Sequence, residues 1–251
     1  MVCSVDGKAT LRQGQHPRPL GSRVDRAIMA RLRAHADAVL RGAGTVRRDP
    51  YYPRAAREGV AGRPADGARD QPLACVVSAS GRLPVDSPFF TRAPRRPLVV
   101  LGPLAPPGCE DQFLAVADVV RAPQAWAAPG EDGAGWVDPR WLLRHLRERH
   151  GVRLLVSEGG PHLNYRFFRA GCVDELFLTL APFLAGSERE LGLVHGPQLF
   201  EPFPELRLVS VFAHESELFL RYQVLSDPKP RDRRNGRQAQ AGPPGSGAPS
   251  A

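Results

Sequence analysis

The chain has 251 residues, of which 42% are hydrophobic, so it can bury a core of ordinary enzyme size. Its formal charge is +8, and three of those charges belong to the stretch from Ser226 onward, which holds five Lys or Arg and two Asp. No apolar run approaches the roughly 18 residues needed to span a membrane, and no signal-peptide pattern is present. We expect a soluble, cytoplasmic protein whose basic body suits phosphorylated small molecules, with nucleic acid as the less favoured partner.

The cysteines argue against a metal centre and against a disulfide framework. None of the four forms a C-x-x-C pair, and each lies in or beside an apolar segment. We therefore expect reduced, buried cysteines and no metal site. The four are Cys3, Cys75, Cys109 and Cys172.

The first half of the chain alternates predicted strands and helices. Residues 1–5 are apolar from the first position, so either the first strand is very short or the chain starts earlier. Ser22 is a suitable N-cap, and the apolar stripe after it predicts the helix Arg23–His35. Residues 54–72, rich in Arg, Ala, Gly and Pro, predict an irregular surface insertion. Short apolar runs predict strands at 38–40, 73–78, 98–101 and 115–121.

A glycine-rich turn follows the second predicted strand. Gly42-Ala43-Gly44 begins like a dinucleotide-binding fingerprint, but Arg47 replaces the third glycine and Pro50 stops any long helix. The turn places Thr45 and Asp49 four residues apart on one helical turn. They either face a ligand or serve as a helix-capping residue and a solvated acid.

A second polar turn follows the strand at 73–78. Ser78 and Ser80 belong to the run Ser-Ala-Ser-Gly-Arg, which can offer hydroxyl and N–H groups to a phosphate. Farther along, Asp138 is a suitable N-cap for a helix over residues 139–149, with a proline at its first position.

The most informative stretch is a predicted strand, glycine turn, helix and strand. The apolar run 152–156 predicts a buried parallel strand, and 173–180 predicts the next one. Pro161 is well placed as the first residue of the intervening helix, and Gly171 is a suitable residue to end it.

The turn before that helix is a candidate phosphate-binding site. A helix N-terminus leaves backbone N–H groups unpaired, and glycines in front of it let an anion approach them. Gly159-Gly160-Pro161 therefore predicts an anion site, the alternative being an ordinary β–α turn without a ligand. Glu158 would point into the same crevice, at the carboxyl end of its strand.

The order of these elements predicts one α/β domain. Residues 208–212 and 217–224 predict a final antiparallel pair. We expect a three-layer α/β domain with a mixed, mostly parallel sheet over residues 1–225. Residues 226–251, with almost nothing to bury, predict a disordered basic tail.

Three segments taken together resemble the reductase domain of the riboflavin-biosynthesis deaminase/reductase family, which has the dihydrofolate reductase fold. The first is Ser4-Val5-Asp6-Gly7-Lys8. The second runs from Leu32 through Gly42-Ala43-Gly44-Thr45 to Asp49. The third is Glu158-Gly159-Gly160-Pro161, followed by Gly171-Cys172-Val173-Asp174-Glu175-Leu176 and Ala181-Pro182. The resemblance covers residues 1–225.

The resemblance implies an NADPH-dependent reduction of a ribosylaminopyrimidine 5′-phosphate, in which the ring-opened ribosyl imine accepts hydride at C1′, and it implies a homodimer. It implies that Arg33 contacts the substrate and that Glu158 contacts the substrate ring or ribose and helps proton transfer. It also implies a set of cofactor contacts: Thr45, Asp49, Ser78, Ser80, Gly159, Gly160, Pro161, His162 and Leu163.

Two departures from the family pattern put the substrate in question. The family carries a Ser-x-Trp segment where this chain has His16-Pro17-Arg18-Pro19. The run after Asp49 also differs from the family pattern, since it is Pro50-Tyr51-Tyr52-Pro53-Arg54, and Arg54 is therefore a weaker substrate candidate than Arg33. The alternatives are therefore a reductase of the same fold with another small substrate, and a non-catalytic nucleotide- or nucleic-acid-binding protein.

Overall fold

A computed structural model describes residues 1–11, 20–56, 71–124 and 135–225. The predicted tail at 226–251, the segment 16–19 and most of the predicted insertion at 54–72 lie outside these ranges. The described elements are, in chain order, β1 (Val2–Ser4), α1 (Arg23–His35), β2 (Ala38–Gly42), α2 (Ala43–Arg48), β3 (Leu73–Ser78), α3 (Pro88–Thr91), β4 (Leu98–Leu101), β5 (Asp118–Arg121), α4 (Pro139–His150), β6 (Leu155–Ser157), α5 (Pro161–Arg169), β7 (Glu175–Ala181), β8 (Glu205–His214) and β9 (Glu217–Leu225).

Five strands form a parallel sheet in the order β5-β4-β3-β2-β6. Its two faces pack against different helices, because alternate residues of each strand point to opposite sides. On β3, Cys75 and Val77 join a cluster with Leu142 of α4 and Phe167 of α5. The intervening Val76 joins a second cluster on the other face, with Val46 of α2 and Phe89 and Phe90 of α3. The sheet is thus the middle of three layers, and the predicted fold class is confirmed.

The remaining strands form a second, mixed sheet in the order β1-β7-β9-β8. β1 pairs with β7 in parallel, whereas β7, β9 and β8 are antiparallel neighbours. The sequence predicted a single mixed sheet, so the division into two sheets is a correction. A groove of about 890 Å³ lies between them, lined among others by Met1, Ser157 and Phe177.

Several predicted boundaries differ from the observed ones: the strand predicted at 173–180 is Glu175–Ala181, and the strand predicted at 208–212 is Glu205–His214. The strand predicted to start at Val152 begins at Leu155, because the N–H groups of Arg153 and Leu154 both donate to the Asp37 carboxylate instead of a neighbouring strand. The turn after Gly42, in which Thr45 and Asp49 were predicted to lie on one helical turn, forms the short helix α2 with Asp49 at its end. Helix α1 and strands β3 and β4 have the predicted bounds.

Helix α1 is fastened to the second sheet by buried polar contacts. The Ser22 hydroxyl accepts hydrogen bonds from the N–H groups of Val24 and Asp25, as predicted for an N-cap. Thr179 of β7 donates its hydroxyl to the buried Asp25 carboxylate at 2.8 Å. These contacts fix the helix axis, so the last turn of α1 directs Arg33 toward the end of β6.

Candidate functional site

The candidate site lies where β2 and β6 end at the same edge of the parallel sheet. The N–H of Glu158 donates to Leu40 O at 2.8 Å, and the N–H of Gly42 donates to Gly159 O at 2.7 Å. The turn after β6 therefore lies against the turn after β2. Carboxyl ends of adjacent parallel strands are where open α/β sheets bind ligands.

Three glycines allow these turns to approach so closely. A Cβ at Gly42 would lie 3.5 Å from Gly159 O, and one at Gly160 would lie 3.3 Å from the Thr45 hydroxyl. Gly159 has φ +72, which side-chain-bearing residues rarely adopt. The glycines thus leave backbone, rather than side chains, facing the space between α2 and α5.

Helix α5 begins as the sequence predicted. Pro161 is its first residue, and Gly160 is an N-cap that provides no side-chain hydrogen bond. The first-turn N–H groups, including those of His162 and Leu163, point out of the helix start, where an anion would be stabilised. The Leu163 side chain is buried in the core, so only its backbone can contact a ligand.

Glu158 is buried between two arginines. Its Oε1 accepts a hydrogen bond from Arg33 Nε at 2.5 Å, and its Oε2 accepts from Arg41 Nε at 2.8 Å and Nη2 at 2.7 Å. Only 7% of the Glu158 side chain is exposed. We call Arg33, Arg41 and Glu158 the Arg–Glu–Arg triad.

The triad keeps Glu158 ionised. Burial by itself raises the pKa of this carboxyl, but the charges of Arg41 and Arg33 and their hydrogen bonds outweigh it, and the pKa is lowered from its ordinary value. A buried carboxylate with two cations is suited to accept hydrogen bonds from a ligand rather than to donate a proton.

Arg33 and Arg54, the predicted substrate residues, are brought together. Arg33 Nη1 donates to the Arg54 backbone carbonyl at 3.3 Å, and Arg54 Nη2 donates to Arg92 O at 3.0 Å. The Arg54 backbone therefore lies beside Arg33, whereas the Arg54 guanidinium is directed to the end of α3. Such cations suit a phosphate.

Thr45 lies on α2 and Asp49 lies at its C-terminal end, and their side chains have different neighbours. The Thr45 hydroxyl faces Gly160, as the contact above shows. The Asp49 N–H donates to Thr45 O, while its carboxylate accepts from Arg41 Nη1 at 3.2 Å. Asp49 is 56% exposed, so one side of its carboxylate stays open to solvent.

Ser78 and Ser80 lie at the end of β3, on the other side of β2. The Ser78 hydroxyl is buried and has no hydrogen-bond partner within the described ranges. The Ser80 turn is tied to α2, because Arg47 Nη1 donates to Arg82 O at 2.9 Å. An unpartnered buried hydroxyl at a strand end is consistent with a ligand contact.

Aromatic and basic groups surround the first turn of α5. The His162 ring stacks on Trp136 with centroids 6.4 Å apart and meets His195 edge-on at 4.9 Å. The Arg166 guanidinium lies 4.2 Å from the Trp136 centroid. Desolvation, followed by the charges of His195 and Arg166, lowers the pKa of His162.

Sequence reasoning missed Arg41. It is a charged residue in the otherwise apolar strand β2, and its side chain is only 4% exposed. An arginine within a buried parallel strand requires a buried acid or ligand nearby. That signal predicts a partner, but Glu158, 117 residues away, could not be identified from the pattern alone.

The described residues also bear on metal and membrane binding. Among residues 1–11, 20–56, 71–124 and 135–225, no group of three or more His, Cys, Asp or Glu side chains is placed to hold a metal ion. No helix within the described ranges is long and apolar enough to cross a membrane.

Comparison with known families gives one match over most of the chain. A family model described as the RibD C-terminal domain matches residues 1–220. A protein of Methanothermobacter thermautotrophicus is 30% identical over 207 residues, covering 82% of this chain and 86% of the relative. One of Archaeoglobus fulgidus is 31% identical over 187 residues, covering 74% and 80%. Both are named 2,5-diamino-6-ribosylamino-4(3H)-pyrimidinone 5′-phosphate reductase.

Solved structures confirm the expected dihydrofolate reductase-like fold. A pyrimidine reductase-like protein from Corynebacterium diphtheriae has a TM-score of 0.69 and 25% identity, and the match covers 90% of each chain. The riboflavin biosynthesis reductase Rib7 of Saccharomyces cerevisiae has a TM-score of 0.61 over 89% of this chain and 87% of its own. At 19% identity, the second likeness shows the fold alone.

Proposed function

Because the chain belongs to the RibD C-terminal domain family, we propose that it is an NADPH-dependent reductase of riboflavin biosynthesis. It converts a ribosylaminopyrimidine 5′-phosphate to the ribitylamino product, the substrate class in the names of its archaeal relatives. One observation carries the proposal: Glu158, held between Arg33 and Arg41, lies in the turn that leads directly into the N-terminus of α5, where Gly160 provides no side-chain cap. A substrate site and an anion site therefore share one crevice.

The residues present fit a dinucleotide cofactor. The close approach of Gly42, Gly159 and Gly160 leaves room that a Cβ would fill, and the first turn of α5 offers N–H groups to a pyrophosphate. Thr45 borders the same space, and the Ser78 hydroxyl, which has no hydrogen-bond partner within the described ranges, lies at the end of the neighbouring strand β3. We assign the pyrophosphate to Gly160, Pro161, His162 and Leu163, and other parts of the cofactor to Thr45, Asp49, Gly159, Ser78 and Ser80.

The chain's own side chains bind and orient the substrate. Arg33, held through Nε by Glu158, donates Nη1 to the Arg54 carbonyl, and its remaining guanidinium N–H groups are suited to a 5′-phosphate. The ionised Glu158 accepts a hydrogen bond from a ribose-derived hydroxyl at the lone pair of Oε1 that Arg33 does not use. When bound, NADPH supplies the hydride that forms the new C–H bond at C1′ of the ring-opened imine. The imine nitrogen takes up one proton in the same step; because the pKa of Glu158 is lowered, solvent is the favoured source of that proton, and the predicted help of Glu158 in the transfer stays a prediction.

The test follows NADPH oxidation by nicotinamide absorbance. The purified chain receives the 5-amino and the 2,5-diamino ribosylaminopyrimidine phosphates separately, with NADH as the alternative cofactor. Turnover of either substrate supports the reaction class and identifies the pyrimidine. NADPH binding without turnover would leave a reductase of the same fold with another substrate, and the absence of both would overturn the proposal.

We also propose that the enzyme is a cytoplasmic homodimer formed through β8. This edge strand exposes apolar side chains along its length, a pattern that favours an interface. Phe212 is 68% exposed and Leu208 51%. Light scattering tests the assembly, and a monomer at micromolar concentration would overturn this part of the proposal.

A further inference from the structure

We propose that Arg41 is a positioning residue, which fixes the orientation of the Glu158 carboxylate and keeps it a hydrogen-bond acceptor toward the substrate. The inference rests on the proposed function, because it assigns Glu158 to the substrate side of the site. It adds a residue that neither the sequence patterns nor the comparisons point to. Arg41 acts only through Glu158 and the loop after α2.

The geometry of Arg41 supports this role. Its Nε and Nη2 converge on one oxygen of Glu158, at 2.8 and 2.7 Å, so the carboxylate cannot rotate without breaking two charge-assisted bonds. The other oxygen accepts from Arg33 at 2.5 Å. Each carboxylate oxygen is therefore held by a separate cation: Arg41 occupies both lone pairs of Oε2, and Arg33 leaves one lone pair of Oε1, whose direction is fixed.

Arg41 also joins the carboxylate to the loop after α2. Its Nη1 donates to Tyr51 O at 3.0 Å, to Asp49 O at 3.3 Å and to the Asp49 carboxylate at 3.2 Å. One buried guanidinium thus connects β2, the end of β6 and the residues that lead to Arg54. Loss of Arg41 would release Glu158 and this loop together.

The charges around Glu158 determine how far the loss of Arg41 would change the pKa of its carboxyl. Arg33 faces it from α1 and Arg41 from β2, while Asp49 reaches it only through Arg41. The Met1 ammonium, next to β1, interacts with Glu158 electrostatically, and burial lowers the pKa of that amine. With Arg41 replaced by an apolar residue, burial of Glu158 would be opposed chiefly by Arg33, and the pKa of the carboxyl would rise.

The experiment compares Arg41→Met, Arg41→Lys and Glu158→Gln with wild type, by kcat/KM from pH 5.5 to 8.5. All variants share the ionisation of the substrate phosphate at about pH 6, so each is compared with wild type at the same pH. We expect Arg41→Met to lose about tenfold or more relative to wild type between pH 8 and pH 6 and to approach Glu158→Gln at the acid end. Arg41→Lys, which keeps the charge, should show a smaller loss. Arg96→Met, which removes an arginine bound to Asp118 and loop carbonyls far from the site, is the matched control.

A second readout separates this inference from the proposed function. The carboxyl ¹³C signal that disappears in Glu158→Gln belongs to Glu158, and its titration needs no turnover. We expect the Glu158 chemical shift to be constant from pH 8 to pH 5.5 in wild type and to titrate in this range in Arg41→Met. If Arg41→Met does not fold, Arg41→Lys replaces it, and its Glu158 signal should titrate at a lower pH than that expected for Arg41→Met. A Glu158 signal that does not titrate in any folded variant, or a pH-independent loss of kcat/KM, would overturn the role of Arg41.

Discussion

The backbone N–H of Gly42 donates to the carbonyl oxygen of Gly159 at 2.7 Å, which fastens the turn after β2 to the turn after β6. These residues are far apart in sequence, yet their contact places Thr45 against Gly160. Because both turns are glycine-rich, the resulting crevice is lined by backbone groups. A negatively charged side chain introduced there would compete directly with an anionic ligand.

Gly160→Asp tests the anion site. We expect NADPH affinity to fall tenfold or more, about 1.4 kcal/mol, because the new carboxylate repels the pyrophosphate. Calorimetric titration with NADPH measures the change. Gly160→Ala is the control for size alone, since its Cβ meets only the Thr45 hydroxyl at 3.3 Å. Unchanged affinity in a folded Gly160→Asp protein would remove this turn from the cofactor site.

Arg33→Lys tests the substrate side. Lysine keeps the charge but cannot hold Glu158 through Nε while it directs further donors toward Arg54. We expect KM for the phosphorylated pyrimidine to rise about tenfold or more, with NADPH affinity unchanged. Arg31→Lys, at an exposed position of the same helix, should behave like wild type. An Arg33→Lys enzyme with unaltered KM would contradict the assignment.

Phe212→Arg tests the proposed dimer. Phe212 is the most exposed large apolar side chain of β8, and an arginine there would place like charges opposite each other in a symmetric interface. We expect wild type to scatter light as a dimer and the variant as a monomer at the same concentration. Leu114→Arg adds the same charge at a position that is 60% exposed outside this sheet, and should leave the assembly intact.

His145→Gln tests the response of stability to acid. Burial, aided by nearby positive charge, lowers the pKa of His145 and of His150, whose rings lie 5.7 Å apart beside Trp141. Below about pH 6.5 the unfolded chain therefore binds more protons than the folded one, and the free energy of unfolding falls as pH is lowered.

Urea denaturation at pH 7.5 and pH 5.5 measures that loss. We expect His145→Gln to lose less stability than wild type between these two values, because one proton-binding group and its repulsion with His150 are removed. His214→Gln, at the exposed end of β8, is the control and should keep the wild-type difference. An equal loss in His145→Gln and wild type would mean that other groups dominate acid unfolding.

Local chemistry was sufficient to predict much of this protein from its sequence. Ser22 caps α1, Pro161 begins α5 and Gly171 follows its end with φ +63, because caps, prolines and glycines act on their immediate neighbours. The apolar runs of β3 and β4 gave their exact bounds, since both faces of a central parallel strand are buried. The functional roles of Thr45, Ser78 and the other named contacts stay predictions.

Tertiary structure alone decided the pairing of charges and the arrangement of sheets. Arg41 and Glu158 are 117 residues apart, and only the parallel alignment of β2 with β6 brings them together in a buried environment where neither could stay unpaired. Asp37, just before the neighbouring strand β2, likewise shifts the start of β6 by accepting hydrogen bonds from two of its N–H groups. Periodicity reports which side of an element is buried, but it does not report which distant residue lies there.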